Sequence, residues 1–156
     1  MTAAPDGRPI RVLFVCTHNS ARSVMAEALL RQLGGAAFEV HSAGVEPGGI
    51  RPLTLRVLED ASVPTSGLRS KSVTEYAGQS FDYVVTVCDS ARQACPVFPG
   101  NGERLHWGYE DPSAATGTEE ELLAVFRRVM TEIAERLRLF IPIAHRAGDR
   151  DPSTID

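Results

Sequence analysis

No uninterrupted apolar run in the 156 residues approaches the ~20 that a membrane-spanning helix needs, so no such span is expected. Positive charge is not in excess either. Sixteen Lys and Arg against twenty Asp and Glu leave a formal net charge of −4 with no basic run, and a nucleic-acid partner is not suggested. The stretch 1–9 carries Pro5, Asp6, Gly7 and Pro9 where a secretory signal would need an apolar core, so export is not expected and a cytoplasmic location is. The three cysteines cannot all pair with one another, which makes a structural disulfide framework a poor explanation in a reducing compartment. Each cysteine needs its own reason. No internal repeat, low-complexity tract or linker divides the chain.

What is present suits one globular domain. Hydrophobic residues make up 43% and charged residues 23%, a balance that supports a core rather than disorder. At this length folding buries roughly two thirds of the unfolded surface. Ile10–Val15 is a branched and aromatic run suited to a strand buried on both faces, and Ser23–Leu33 has a helical stripe (Val24, Ala28, Leu29) stopped by Gly34 and Gly35. A second unit follows: a strand over Ala37–Ser42, a turn-rich loop over Gly44–Gly49, and a helix from Pro52 to about Ala61. Ser72–Gly78 could form a minor helix, Phe81–Val87 is the clearest central strand, Asp89–Asn101 reads as a loop with room for one helical turn, and Arg104–Trp107 as a last strand.

The final helix has the strongest pattern. Thr118 with Glu121 forms a capping box, and Leu122, Val125, Phe126, Val129, Ile133 and Leu137 trace one stripe that should cover a sheet face. Together these elements predict an α/β domain over 10–148, a four-stranded parallel sheet flanked by helices, between a leader (1–9) and a tail (149–156). Such sheets bind ligands beyond the carboxyl ends of their strands, where the first loop and Cys88 should both lie.

That first loop, Cys16-Thr17-His18-Asn19-Ser20-Ala21-Arg22-Ser23, holds the chemistry. A loop curling into a helix amino terminus can aim several backbone N–H groups inward, and the positive end of the helix dipole favours an anion there. Arg22 can grip two oxygens of a phosphate-like oxyanion with its planar guanidinium. Cys16 at the floor of the same cradle faces the same donors, which favour its thiolate, and Ser23 could steady that thiolate with its hydroxyl. The plainer reading makes Cys16 a buried strand-end hydrophobe and Arg22 a surface residue; spacing and context favour the functional one. Cys88 and Cys95, seven apart, would sit ~10.5 Å apart along an undisturbed helix, beyond disulfide reach, so a bond between them requires the segment to refold. A buried strand end, an incidental loop thiol, or zinc binding with His106 are the other readings of this pair.

Four stretches, in order, resemble a known family: Cys16 to Ser23; Ser42-Ala43-Gly44 with Glu46-Pro47; Cys88 to Cys95-Pro96; and His106-Trp107-Gly108 with Asp111-Pro112. They resemble the low-molecular-weight protein tyrosine phosphatase fold and, within it, the thioredoxin-coupled arsenate reductases, over about Arg11 to Phe140. The resemblance implies that residues 16 to 22 bind arsenate, that Cys16 attacks it, that Cys88 then attacks Cys16, and that Cys95 takes over the disulfide for thioredoxin to reduce. It assigns Asp111 the role of proton donor, although Asp-Pro is also a common turn.

Asn19 and Ser42 read as braces of the loop. Some family members hold potassium there with residues matching Asn19, Glu27 and Ser42 and an acidic residue where Lys71 stands. Lys71 departs from that pattern and could pair with Glu27 in the ion's place, or be an ordinary solvated lysine. No cofactor or metal is expected; phosphate or sulfate should compete with arsenate, and a monomer is expected. His18, His41, His106 and His145 are scattered singly and read as structural; His18, inside the cradle sequence, could modulate the anion's field or be an exposed loop histidine. A phosphatase acting through a phosphocysteine at Cys16 is the nearest rival and would have no use for Cys88 and Cys95; Ser113 to Thr116 offers no aromatic wall after Asp111-Pro112. A non-enzymatic oxyanion sensor is the third reading.

Overall fold

Alternating units of strand and helix build a sheet whose most apolar strand lies inside. In the computed structural model, which describes residues 7–149, β1 (Ile10–Cys16) pairs in parallel with β2 (Phe38–Gly44) on one side and β3 (Tyr83–Thr86) on the other. β4 (Glu103–His106) closes the far edge, again parallel, giving the order β2-β1-β3-β4. Val12, Leu13, Phe14 and Val15 are fully buried, because helices cover both faces of this inner strand. The helices are α1 (Arg22–Gly34), α2 (Pro52–Asp60), α3 (Asp89–Ala94) and α4 (Glu119–Asp149). The predicted four-stranded parallel α/β architecture is what the chain forms. Among the described residues no helix is long and apolar enough to cross a membrane.

Several element boundaries differ from the sequence reading for identifiable reasons. The central strand is regular only over Tyr83–Thr86, although Asp82 and Val87 still donate backbone bonds to Arg11 and Val15 at its two ends. The last strand starts at Glu103 and ends at His106. Trp107 donates to the Thr86 carbonyl and then leaves the edge to pack on Phe14 and Phe140. The minor helix shrinks to a 3₁₀ turn, Val73–Tyr76, capped by Ser72 accepting from the Thr74 N–H. The segment after Cys88 holds a six-residue helix, α3, which stops at Cys95 because the residue before a proline avoids helical backbone.

The capping box of α4 is present in both directions, Thr118 N–H to Glu121 and Glu121 N–H to Thr118. Phe140 packs on Phe38, Tyr83 and Trp107 with ring centroids 6.4, 4.9 and 5.3 Å away, so α4 does cover a sheet face. The helix continues through Pro142 to Asp149, the residue expected to begin the tail. Residues 1–6 of the expected leader and 150–156 of the tail lie outside the described residues.

Candidate active site

The carboxyl ends of β1 and β3 lie side by side in the sheet, which sets Cys16 and Cys88 at the same rim. Between β1 and α1 the loop turns tightly over β2. Its carbonyls face outward: Cys16 accepts from Val45 N–H, Thr17 from Glu46 N–H, His18 from Gly48 N–H and the Ser70 hydroxyl, and Ser20 from Arg51 N–H and the Thr54 hydroxyl. In a trans peptide the N–H points opposite to the C=O of the same unit. Outward carbonyls therefore aim the N–H groups of Thr17, His18, Asn19 and Ala21 inward, and the Asn19 N–H does reach the Cys16 Sγ at 3.2 Å. The predicted cradle is thus built from the backbone, at the amino terminus of α1.

Around the Cys16 sulfur the side chains form a closed chain of donors and acceptors. Cys16 Sγ lies 2.8 Å from Ser23 Oγ, and the Asn19 amide donates to Ser23 Oγ at 2.8 Å and to Ser42 Oγ at 2.9 Å. Asn19 Oδ1 accepts the Lys71 backbone N–H at 2.8 Å. Asn19 is fully buried with φ of +49°, a left-handed conformation that asparagine tolerates better than most residues. The structure brings together Asn19 and Ser42, the pair expected to brace the loop.

Beneath it Ser42 donates to the buried Glu27, whose carboxylate also meets Arg31 at 2.5 Å and Lys71 Nζ at 3.4 Å. Burial pulls the Lys71 ammonium below its ordinary pKa while Glu27 pulls it back up; the Arg69 carbonyl accepts from it at 2.9 Å. Lys71 is therefore a buried partner of Glu27, not a solvated lysine.

Arg22 is the first residue of α1, and its side chain crosses to the segment after β4. It donates to the Tyr109 carbonyl at 3.1 Å and lies 3.7 Å from Asp111 Oδ2. Asp111 in turn caps the 3₁₀ turn Pro112–Ala114, with Oδ1 accepting from the Ser113 N–H at 2.9 Å. The acid expected from the sequence thus stands at the mouth of the cradle, held by the same arginine that would grip an oxyanion. His18 points outward, its Nδ1 2.9 Å from the Glu46 carbonyl, so it contributes its backbone to the cradle and its ring to the rim. His41 is a packing residue against Tyr76 and Phe81.

Cys88 lies at the start of α3 with its sulfur 3.2 Å from Thr17 Oγ1, in contact with the loop that follows Cys16. Cys95 is buried at the other end of α3, and all three cysteines are free thiols. Six helical residues separate the pair, so the structure holds Cys88 and Cys95 apart, as the spacing predicted. Burial pushes the Cys95 thiol above its ordinary pKa, partly offset by Arg104 nearby, and the group becomes a good nucleophile only once it is exposed. Among the described residues no three His, Cys, Asp or Glu side chains gather as metal ligands; His106 faces Thr86 and Asp89 instead.

Two site features escaped the sequence reading. A Cβ on Gly44 would lie 2.8 Å from Asn19 N, His18 C and Thr17 O, so only glycine lets the loop settle on β2; the Ser-Ala-Gly motif contained it, but nothing in the letters said what it faced. The Tyr109 carbonyl that anchors Arg22 is backbone and left no side-chain signal.

Comparison with known proteins agrees with this geometry. An arsenate reductase of Halalkalibacterium halodurans is 41% identical over 129 residues, covering 83% of this chain and 93% of that protein. A solved arsenate reductase in its phosphate-binding state superposes with a TM-score of 0.68 at 27% identity, covering 86% of this chain and 98% of the other. A thioredoxin-dependent arsenate reductase of Corynebacterium glutamicum superposes with a TM-score of 0.61 at 32% identity, covering 85% of this chain and 64% of the other. The family model of low molecular weight phosphotyrosine protein phosphatases matches residues 11–148, from the second residue of β1 to the penultimate residue of α4, and so takes in the cradle, Arg22, both further cysteines and Asp111. The chain belongs to the low molecular weight phosphotyrosine protein phosphatase family.

Proposed function

We propose that the chain is an arsenate reductase that converts arsenate to arsenite through a relay of Cys16, Cys88 and Cys95, regenerated by thioredoxin. The observation that carries this reading is the Cys88 sulfur lodged against Thr17, a second thiol at the rim of the cradle that holds the first. The relatives named arsenate reductase support the substrate, and the thioredoxin-dependent one supports the electron donor.

The steps follow from the groups in place. The Cys16 thiolate attacks arsenic in an arsenate seated on the loop N–H groups and Arg22, a hydroxyl leaves as water with a proton from Asp111, and a covalent Cys16 arsenic adduct remains. Cys88 then attacks the Cys16 sulfur. The electron pair of the sulfur–arsenic bond passes to arsenic, which departs as arsenite, and a Cys16–Cys88 disulfide forms. Cys95 attacks Cys88 and frees the Cys16 thiolate, leaving a Cys88–Cys95 disulfide for thioredoxin. Ser23, 2.8 Å from the Cys16 sulfur, steadies it as nucleophile and as leaving group.

The test is arsenite formed from arsenate with thioredoxin, its reductase and NADPH. Continuous turnover is expected with the complete system and a single turnover per chain without thioredoxin; continuous turnover with a small thiol alone would overturn the donor. Small aryl phosphates should be hydrolysed slowly, since they need only the cradle, Cys16 and Asp111. Asp111→Asn is expected to slow arsenite formation by about a hundredfold while leaving phosphate competition unchanged. Equal rates would remove the acid role.

Lys71 stands in for a bound cation beside Glu27, so the rate should be the same in potassium and sodium salts. Stimulation by potassium would defeat that assignment.

A further inference from the structure

The short helix between the two relay cysteines is held at both ends by one strand. Arg104 and His106 are two residues apart on β4, and successive side chains on a strand alternate, so both point to the same side. At the carboxyl end of α3, Arg104 donates to the Cys95 carbonyl at 2.7 Å and to the Pro96 carbonyl at 3.1 Å. At the amino end, His106 Nε2 lies 3.0 Å from Asp89 Oδ1, one residue after Cys88, while its Nδ1 lies 2.8 Å from Thr86 Oγ1 on β3. A carboxylate only accepts, so the Nε2 proton faces Asp89. The ring is thereby fixed between the end of β3 and the start of α3.

None of these contacts touches the Cys16 cradle, and all but the Thr86 bond run from β4 to α3 and the two residues after it. What they fix is the distance between Cys88 and Cys95. Six residues of helix cannot be closed into a disulfide without unwinding, and unwinding carries the Asp89 carboxylate and the Cys95 carbonyl away from β4. We propose that Arg104 and His106 are positioning residues that clamp the two ends of α3 and hold Cys88 and Cys95 apart until the relay unwinds the segment. This rests on the relay reading above.

The clamps exist in the reduced, wound form and are given up in the oxidised form. They therefore favour the dithiol. Weakening them moves the balance toward the Cys88–Cys95 disulfide. Cys95 stays buried while the clamp holds, which pushes its thiol pKa up and keeps the sulfur out of reach of stray oxidants.

The test is a redox titration of the full chain carrying Cys16→Ser, so that only Cys88 and Cys95 can pair, in buffers of oxidised and reduced dithiothreitol, with free thiols counted after quenching. Two thiols lost together, and two electrons with two protons passing to the oxidised reagent, mark the disulfide. Arg104→Ala is expected to reach its midpoint at an oxidised-to-reduced ratio about tenfold lower than its parent, and His106→Ala at about fivefold lower, as the loss of charge-assisted hydrogen bonds requires. Arg104→Lys, which cannot span two carbonyls, should fall between. In chains with Cys16 intact, both alanine variants should hydrolyse an aryl phosphate at the parent rate, which shows that fold and cradle survive. A disulfide that forms at the parent midpoint in all three variants, or at a higher ratio, overturns the clamp alone. No disulfide at any ratio in the Cys16→Ser parent overturns the relay and the clamp together.

Discussion

Cys16→Ser is expected to abolish arsenite formation and aryl phosphate hydrolysis together, by a factor on the order of 10⁴ or more, because a serine hydroxyl is a far poorer nucleophile than a thiolate in this cradle. Cys88→Ser and Cys95→Ser should separate the two activities. Both should keep aryl phosphate hydrolysis within about twofold of the parent, since neither sulfur belongs to the cradle. Cys88→Ser should form no arsenite, because nothing then attacks the Cys16 adduct. Cys95→Ser should release one arsenite per chain and stop, trapped as a Cys16–Cys88 disulfide visible as a loss of two thiols. The measurement is arsenite per chain against time, with thiol counts on the same samples. Continuous arsenite formation by Cys95→Ser would remove the third thiol from the scheme, and loss of both activities in Cys88→Ser would mean that its contact with Thr17 shapes the cradle itself.

The second large effect comes from a residue with no functional group. Gly44→Ala would drive a methyl to within 2.8 Å of three backbone atoms of the loop, Asn19 N, His18 C and Thr17 O, none of which can swing aside. Either β2 shifts or the loop lifts. An added methylene in packed surroundings costs about 1–3 kcal/mol, and displacing a catalytic loop by an ångström costs about a hundredfold in rate. The expected result is a chain that still folds, melts at a lower temperature, and loses both activities in parallel. A melting temperature and rates equal to those of the parent would show that the loop does not rest on β2 in solution. The contrast with the cysteine series is informative: Gly44 should affect every reaction of the cradle, whereas Cys88 and Cys95 should affect only the one that moves electrons.

Much of this site could be read before the structure because its parts are close in the chain. Cys16, Asn19, Arg22 and Ser23 fall within eight residues, and a strand followed by a helix with small polar residues between leaves few ways to fold. The partners from other elements were legible where their side chains do the work: Ser42 on Asn19 and Lys71 on Glu27, whereas the approach of Arg22 to Asp111 was not. Contacts made by backbone were not, which is why the carbonyl of Tyr109 and the close approach at Gly44 had to be seen. Element ends fared worst. β3 stops where its neighbour's pairing stops, not where its branched residues do, and α4 runs on past Phe140 although Pro142 is a residue that ordinarily ends helices. The six-residue α3 lies at the lower limit of what periodicity can reveal, since one and a half turns give no repeat to count.

All four strands of the sheet run the same way, so Cys16, Arg22, Cys88 and Asp111 gather at its carboxyl rim, while α3 leads away from that rim and leaves Cys95 against Arg104 of β4. The opposite rim, where Arg8 pairs with Asp82 and Arg11 with Glu39, is knit by surface charges on the far side of the sheet from the Cys16 cradle. Fluorophores, affinity handles or a solid support attached around Arg8 stand clear of the mouth of the Cys16 cradle. An immobilised biosensor for environmental arsenic should be tethered there.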